Sequence, residues 1–189
     1  LAEWESSDRI GVFAGDETQA AVFTVKELDG TNAVFEGETI ADAASYLAFY
    51  PYSELLGREG TSLSGKMNFL QRYSSPGYGE NRIGIQPDFF SMLAYSPTGA
   101  HSLSFRQMCA YIRVRVRASA TLAGDTYLKS IILQGNDGEV LAGEGIRVAV
   151  AAADDASLNI RTGDPVLSVD ASEQTYSAVA LDLTDPDQP

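Results

Sequence analysis

The sequence has one cysteine, Cys109, and one histidine, His101. A single cysteine excludes an internal disulfide. With one histidine beside it, a structural zinc site built from cysteines and histidines is excluded too. No apolar run approaches the roughly 18 to 20 residues of a membrane-spanning helix. Positive charge is scarce: 13 Lys and Arg stand against 26 Asp and Glu, leaving a net charge of −13 and a pI of about 4.3. A surface of that sign argues against nucleic acid, whose binders need basic residues to displace counterions. It argues equally against an anionic membrane surface. The chain opens on Leu1 rather than methionine. It is therefore expected to be processed or trimmed, with any targeting signal upstream.

What the sequence does have is a rhythm of period two. The segments 9–15, 20–25, 45–52, 89–96, 102–108, 110–118, 127–134 and 146–152 are short and rich in Val, Ile, Phe and Tyr. Gly, Asp, Asn and Pro separate them. Such segments read as strands. No stretch keeps the i, i+3, i+4, i+7 apolar spacing of a helix for three turns. Many short strands with frequent turn signals predict an all-β sandwich. Asn136-Asp137-Gly138 lies between a β-branched run and Val140-Leu141. Asp-Gly tolerates the positive φ of a tight turn, so a hairpin is predicted there. The acidic, Pro-containing tail 181–189 reads as a linker following a domain at 1–180.

The sharpest pattern is "AYIRVRVRAS" at 110–119. Ile112, Val114 and Val116 share one parity; Arg113, Arg115 and Arg117 share the other. A strand here is expected to turn the aliphatic side chains to a core and the arginines outward. Acids on neighbouring strands would then neutralise the arginines; an interface with another subunit is the other use of such a stripe.

Several constellations imitate chemistry. "GTSLSGKM" (60–67) has the spacing of a phosphate-binding loop up to Lys66. Met67 stands where the magnesium-holding hydroxyl belongs, and no helix follows, so a Gly/Ser loop is expected. "GEGIRV" (143–148) lacks the third glycine of a dinucleotide motif. His101 is near Ser102 and Ser104 in sequence, but a catalytic triad is a spatial arrangement, and a strand-end surface histidine is expected. Cys109 sits among apolar neighbours and reads as a small buried hydrophobe. Asp16-Glu17, Asp154-Asp155 and the acids of 185–187 lack the spacing of a calcium loop. With 26 acids, chance carboxylate pairs are unavoidable and none can be singled out for glycoside hydrolysis. No catalytic, cofactor-binding or metal-binding residue is assigned.

Four segments in order carry a resemblance. "WESSDRIGVF" (4–13) is similar to the W-x-x-x-D-x-I-G-V-F opening of fimbrillin-like proteins of the Bacteroidales. "YLAFYPYS" (46–53) resembles their tyrosine-rich strand. "SLSFRQMCAYIRVRVRA" (102–118) resembles the strand pair that follows, and "YLKSIILQGNDGEVLAG" (127–143) their G-N-x-G-E-x-L-A-G segment. The resemblance implies an antiparallel Greek-key β-sandwich, transthyretin-like, exported as a lipoprotein and displayed at the cell surface or in a fimbria. It implies a non-catalytic adhesive, tip, anchor or pilus subunit, with no cofactor. Its partners would be other fimbrial subunits or host and bacterial surface ligands, and its only membrane contact an upstream lipid anchor. The chain would be the N-terminal domain of such a protein, with a second domain beyond 181–189. The alternative is a surface glycan-binding sandwich module. The Tyr- and Gly-rich stretch 73–81 and the exposed-looking Trp4 motivate it.

Overall fold

The computed structural model describes residues 4–54, 56–59, 62–72, 91–96, 98–108, 112, 114–115, 117, 128–149, 167–169 and 172–183. Among these there is no helix. The strands are β1 (Arg9–Ala14), β2 (Ala21–Asp29), β3 (Asn32–Gly37), β4 (Tyr46–Tyr50), β5 (Gly57–Glu59), β6 (Ser62–Met67), β7 (Leu70–Arg72), β8 (Met92–Ser96), β9 (Arg106–Gln107), β10 (Ser130–Gln134), β11 (Ala142–Ala149), β12 (Leu167–Val169), β13 (Thr175–Tyr176) and β14 (Ala178–Asp182). One sheet has the order β3-β2-β1-β4-β8-β9, a second β12-β11-β6-β5 with β13 also on β11, and a third β10-β14-β7. The chain is all-β and sandwich-like. Among the described residues its pairings are antiparallel except β14 with β7, which is parallel.

The central strands of the first sheet, β1, β4 and β8, are buried on both faces, and cross-strand register explains how. Gly11 stands opposite Phe49 and Phe13 opposite Leu47. Partners share a face. Phe13, Leu47, Phe49 and Leu93 of this sheet form one core with Leu63, Ile146 and Val148 of the second sheet. This is the interior of the sandwich. On the other face, Ile10, Val12, Tyr46, Ala48 and Ala94 form a second cluster. Trp4, Ile40, Ala43, Leu103 and Phe105, all outside strands, pack over it. A central strand with both faces covered has no polar side, so "RIGVFA" and "YLAFY" run nearly uninterruptedly apolar.

The structure departs from the sequence expectations in four places. In "GTSLSGKM" the residues Ser62–Met67 are not a loop but strand β6, which lies between β11 and β5 with Leu63 fully buried; Gly60 and Thr61 lie outside the described residues. Its alternation was hidden because Gly65, opposite Ile146, is the inward neighbour of Leu63. The 102–108 segment forms a strand only at Arg106–Gln107, while Leu103 and Phe105 cover the outer cluster. The Asn136-Asp137-Gly138 turn forms, with Gly138 at φ +82. It joins no hairpin, because β10 pairs with β14 and β11 with β6, β12 and β13. The tail is not wholly a linker either, because β14 crosses the boundary at 180 and runs through Asp182; residues 184–189 lie outside the described residues.

At the turn, the Asp137 N–H donates to Glu139 Oε2 at 2.9 Å. That bond, then the N–H groups of Glu139 and Asn136, hold the Glu139 carboxyl below the ordinary glutamate value. Because the folded value is the lower one, this contribution is present at neutral pH. It is lost as the pH falls through the folded-state value.

Candidate association surfaces

The segment that stood out in the sequence is also where the structure disagrees most sharply with it. Ile112 is 57% exposed and Val114 53%, and Arg115 and Arg117 are exposed as well. None of these four residues is in a strand. Both parities therefore stand in solvent, and Ile112 and Val114 do not face a core. The reason is tertiary: a period-two pattern buries one face only where another layer is supplied. Arg113 and Val116 lie outside the described residues. No ion pair engages Arg115 or Arg117 among the described residues.

The second prominent surface is the β2–β3 arm. Asp29 pairs with Asn32 across a two-residue turn whose first residue, Gly30, has φ +59. That conformation suits glycine at the first position of a tight hairpin turn. Beyond a bulge between Val25 and Glu27 the arm leaves the body of the sheet, and side chains 26–32 are exposed. Along β3, Ala33 and Phe35 are half-buried, while Asn32, Val34 and Glu36 are exposed. Val34 stands opposite Glu27, and Asn32 opposite Asp29. The face of the arm turned away from Phe35 and the outer cluster thus sets Glu27, Asp29 and Glu36 around Val34, which is 53% exposed. Lys26 Nζ lies 2.8 Å from Glu36 Oε2. That hydrogen bond and the glutamate charge hold the lysine above its ordinary value. On the opposite face, Leu28 at the tip is 49% exposed.

Trp4 is not a free platform for a sugar. It is half-buried, in edge-on contact with Phe35, Tyr50 and Phe105 at centroid distances of 5.1, 5.2 and 5.3 Å. Asp8 ties the same cluster: Oδ1 accepts the Tyr50 hydroxyl at 2.8 Å, and Oδ2 accepts the Glu5 N–H at 2.8 Å. The tryptophan and aspartate of the opening motif thus meet the tyrosine strand in one cluster. Asp8→Ala leaves the Tyr50 hydroxyl and the Glu5 N–H without this acceptor. It is expected to cost about 1 to 2 kcal/mol, and Tyr50→Phe about 1 kcal/mol. Because the two changes remove the same bond, a double-mutant cycle in urea should return a coupling near 1 kcal/mol; additive losses would refute the bond.

The remaining candidates separate rather than converge. His101 is exposed and edge-on to Tyr46 at 5.4 Å, and no hydroxyl or carboxylate bonds it among the described residues. Lys66 bonds Glu144 at 2.6 Å. The second glycine of 143–148, Gly145, has φ +65 beside an irregularity in β11, with no helix after it. Asp16 and Glu17 lie exposed in the connection after β1. Cys109, Asp154-Asp155, the acids of 185–187 and the stretch 73–81 lie outside the described residues. Among the described residues no group of three or more His, Cys, Asp or Glu is placed to hold a metal ion, and no helix is long and apolar enough to cross a membrane. An open recess of about 230 Å³ is lined by Lys66, Met67, Asn68, Phe69, Leu70 and Tyr176. Phe69 and Tyr176 lean on each other at 5.4 Å there. Sequence reading missed the β2–β3 arm as a surface because its alternation is broken by the bulge. Compared with family models, curated proteins and solved structures, the chain returned no match.

Proposed function

We propose that this protein is non-catalytic and works by association at the cell surface, as an adhesive or fimbrial subunit resembling the fimbrillin-like proteins, with a transthyretin-like Greek-key sandwich. The observation that carries the reading is the set of large aliphatic side chains left in solvent on strands at the edges of the described sheets and in the arginine segment. Val34 is on edge strand β3, Ile132 and Leu133 on edge strand β10, and Ile112 and Val114 lie in the arginine segment. Exposed apolar groups at sheet edges mark surfaces that another chain covers. The meeting of Trp4, Asp8 and Tyr50 supports it too, since these residues carry two of the four resembling segments.

The partners in this reading are other subunits or surface ligands, and the protein reaches the membrane only through a lipid anchor upstream. Immunogold labelling of intact source cells tests it. Gold along or at the ends of thin filaments is expected for a fimbrial subunit or tip. Gold on the envelope without filaments points to a surface adhesin. Label that appears only after lysis overturns surface display. The glycan-binding alternative draws on the Phe69–Tyr176 recess. Retention on polysaccharide columns, lost in Tyr176→Ala, would favour it.

A further inference from the structure

We propose that the recess at Phe69 and Tyr176 is a subsite for one neutral pyranose residue, its ring lying on the Tyr176 ring and its hydroxyls meeting the Lys66–Glu144 pair. The inference gives the surface-ligand reading above a ligand class and a site, and it rests on that reading.

The recess lies where two segments of chain leave the second sheet for the third. One runs from β6 through Asn68 and Phe69 into β7; the other runs from β13 through Ser177 into β14. Strands that switch sheets make a corner. β11 lies between the two segments, with Ala142 opposite Tyr176 and Gly143 opposite Met67. Across these two small residues the Phe69 and Tyr176 rings meet at 5.4 Å, inclined by 37°. The backbone that carries the rings is tied down. The Tyr176 carbonyl accepts the Leu141 N–H at 2.9 Å, and the Phe69 carbonyl accepts the Ala180 N–H at 2.9 Å. A platform held in place before binding loses little freedom when a ligand arrives.

Tyr176 is nevertheless 39% exposed, and Leu70, next to Phe69, is 40% exposed. An aromatic ring offers an apolar face with negative charge density. A pyranose has a face of C–H groups that suits it, and hydroxyls around the rim that need polar partners. The recess supplies those on its other side. Lys66 Nζ bonds Glu144 Oε1 at 2.6 Å, and both side chains are 45% exposed. The ammonium only donates and the carboxylate only accepts. A hydroxyl does both, so it satisfies either partner.

The same pair selects for a neutral sugar. Lys66 is the charged residue among those lining the recess, and Glu144 cancels its charge. A carboxylated or sulfated sugar would bring its own charge beside Glu144, in the field of a chain of net charge −13. A wholly apolar ligand would take water from both charges and return no hydrogen bond. The volume of about 230 Å³ is below the roughly 300 to 1,000 Å³ of sites that enclose a drug-sized ligand. It suits one ring, and the open side leaves the rest of a glycan in solvent.

Saturation-transfer NMR on the purified chain tests this. The probes are the methyl glycosides of glucose, galactose and mannose, with methyl glucuronide as the charged control. At least one neutral glycoside should take up saturation at its ring C–H protons, with a Kd of about 1 mM, the scale set by its size and ordinary ligand efficiency. Tyr176→Ala should weaken it about tenfold, and Tyr176→Phe, which keeps the ring, should recover most of that loss. Glu144→Gln leaves the Lys66 charge uncompensated, so the glucuronide should become the tighter ligand. Damage to the fold would weaken both ligands alike, so the reversal reports on the recess itself. No uptake by any of the three neutral glycosides overturns the proposal. So does a neutral glycoside held equally well by Tyr176→Ala, or a glucuronide that the wild type binds as tightly as the neutral probes. Those outcomes leave surface display standing, because labelling of cells decides it separately.

Discussion

Gly11→Ala is expected to destabilise the fold by about 2 to 3 kcal/mol, a large loss for a change of one methyl group. Gly11 lies in β1 directly opposite Phe49 in β4. A β-carbon built on it would fall 2.3 Å from the Phe49 ring. Phe49 has no exposed surface and packs with Phe13, Leu47 and Leu93 in the sandwich interior. The ring cannot swing toward solvent, and its neighbours are packed at crystal-like density. Two central strands must part, or the ring must leave its rotamer. Urea unfolding followed by circular dichroism reads the loss. The partner variant makes the cause specific: Phe49→Leu withdraws the ring from that space, so the double variant should lose less than the sum of the singles by about 1 kcal/mol or more. Strictly additive losses would show that the glycine is needed for something other than the ring.

Trp4→Ala is expected to cost about 3 kcal/mol. Trp4 is half-buried, which places it at the lower end for a tryptophan. Its three edge-on ring contacts with Phe35, Tyr50 and Phe105 each add about 0.5 to 1.5 kcal/mol beyond area burial. These partners come from β3, β4 and the segment before β9, so one side chain ties three distant parts of the chain over the outer cluster. Trp4→Phe should recover part of the loss, because a smaller ring keeps some of the contacts. Trp4 is the only tryptophan, so the comparison uses circular dichroism rather than fluorescence. A loss below about 1 kcal/mol would mean that the cover over Val12 and Ala48 does not depend on the N-terminal segment.

The sequence by itself determined the all-β class, through short alternating runs and the absence of any helical period. It placed β1, β4, β8 and β11 to within a few residues, because their Val, Ile, Phe and Tyr content is dense. It also determined that Gly138 would turn with positive φ, since that preference is local to the backbone. Tertiary structure alone decided which runs receive a core. β1 and β4 are covered on both faces. β6, with only Leu63 as a bulky inward residue before Met67, becomes an interior strand because β11 and β5 flank it. The more regular alternation of 110–118 leaves Ile112 and Val114 in water. Period two records only that side chains alternate; burial needs a second layer, and that layer comes from residues far away in the chain. The same holds for the β2–β3 arm. Glu27, Asp29 and Glu36 become one acidic face only when the register of β2 on β3 brings them together.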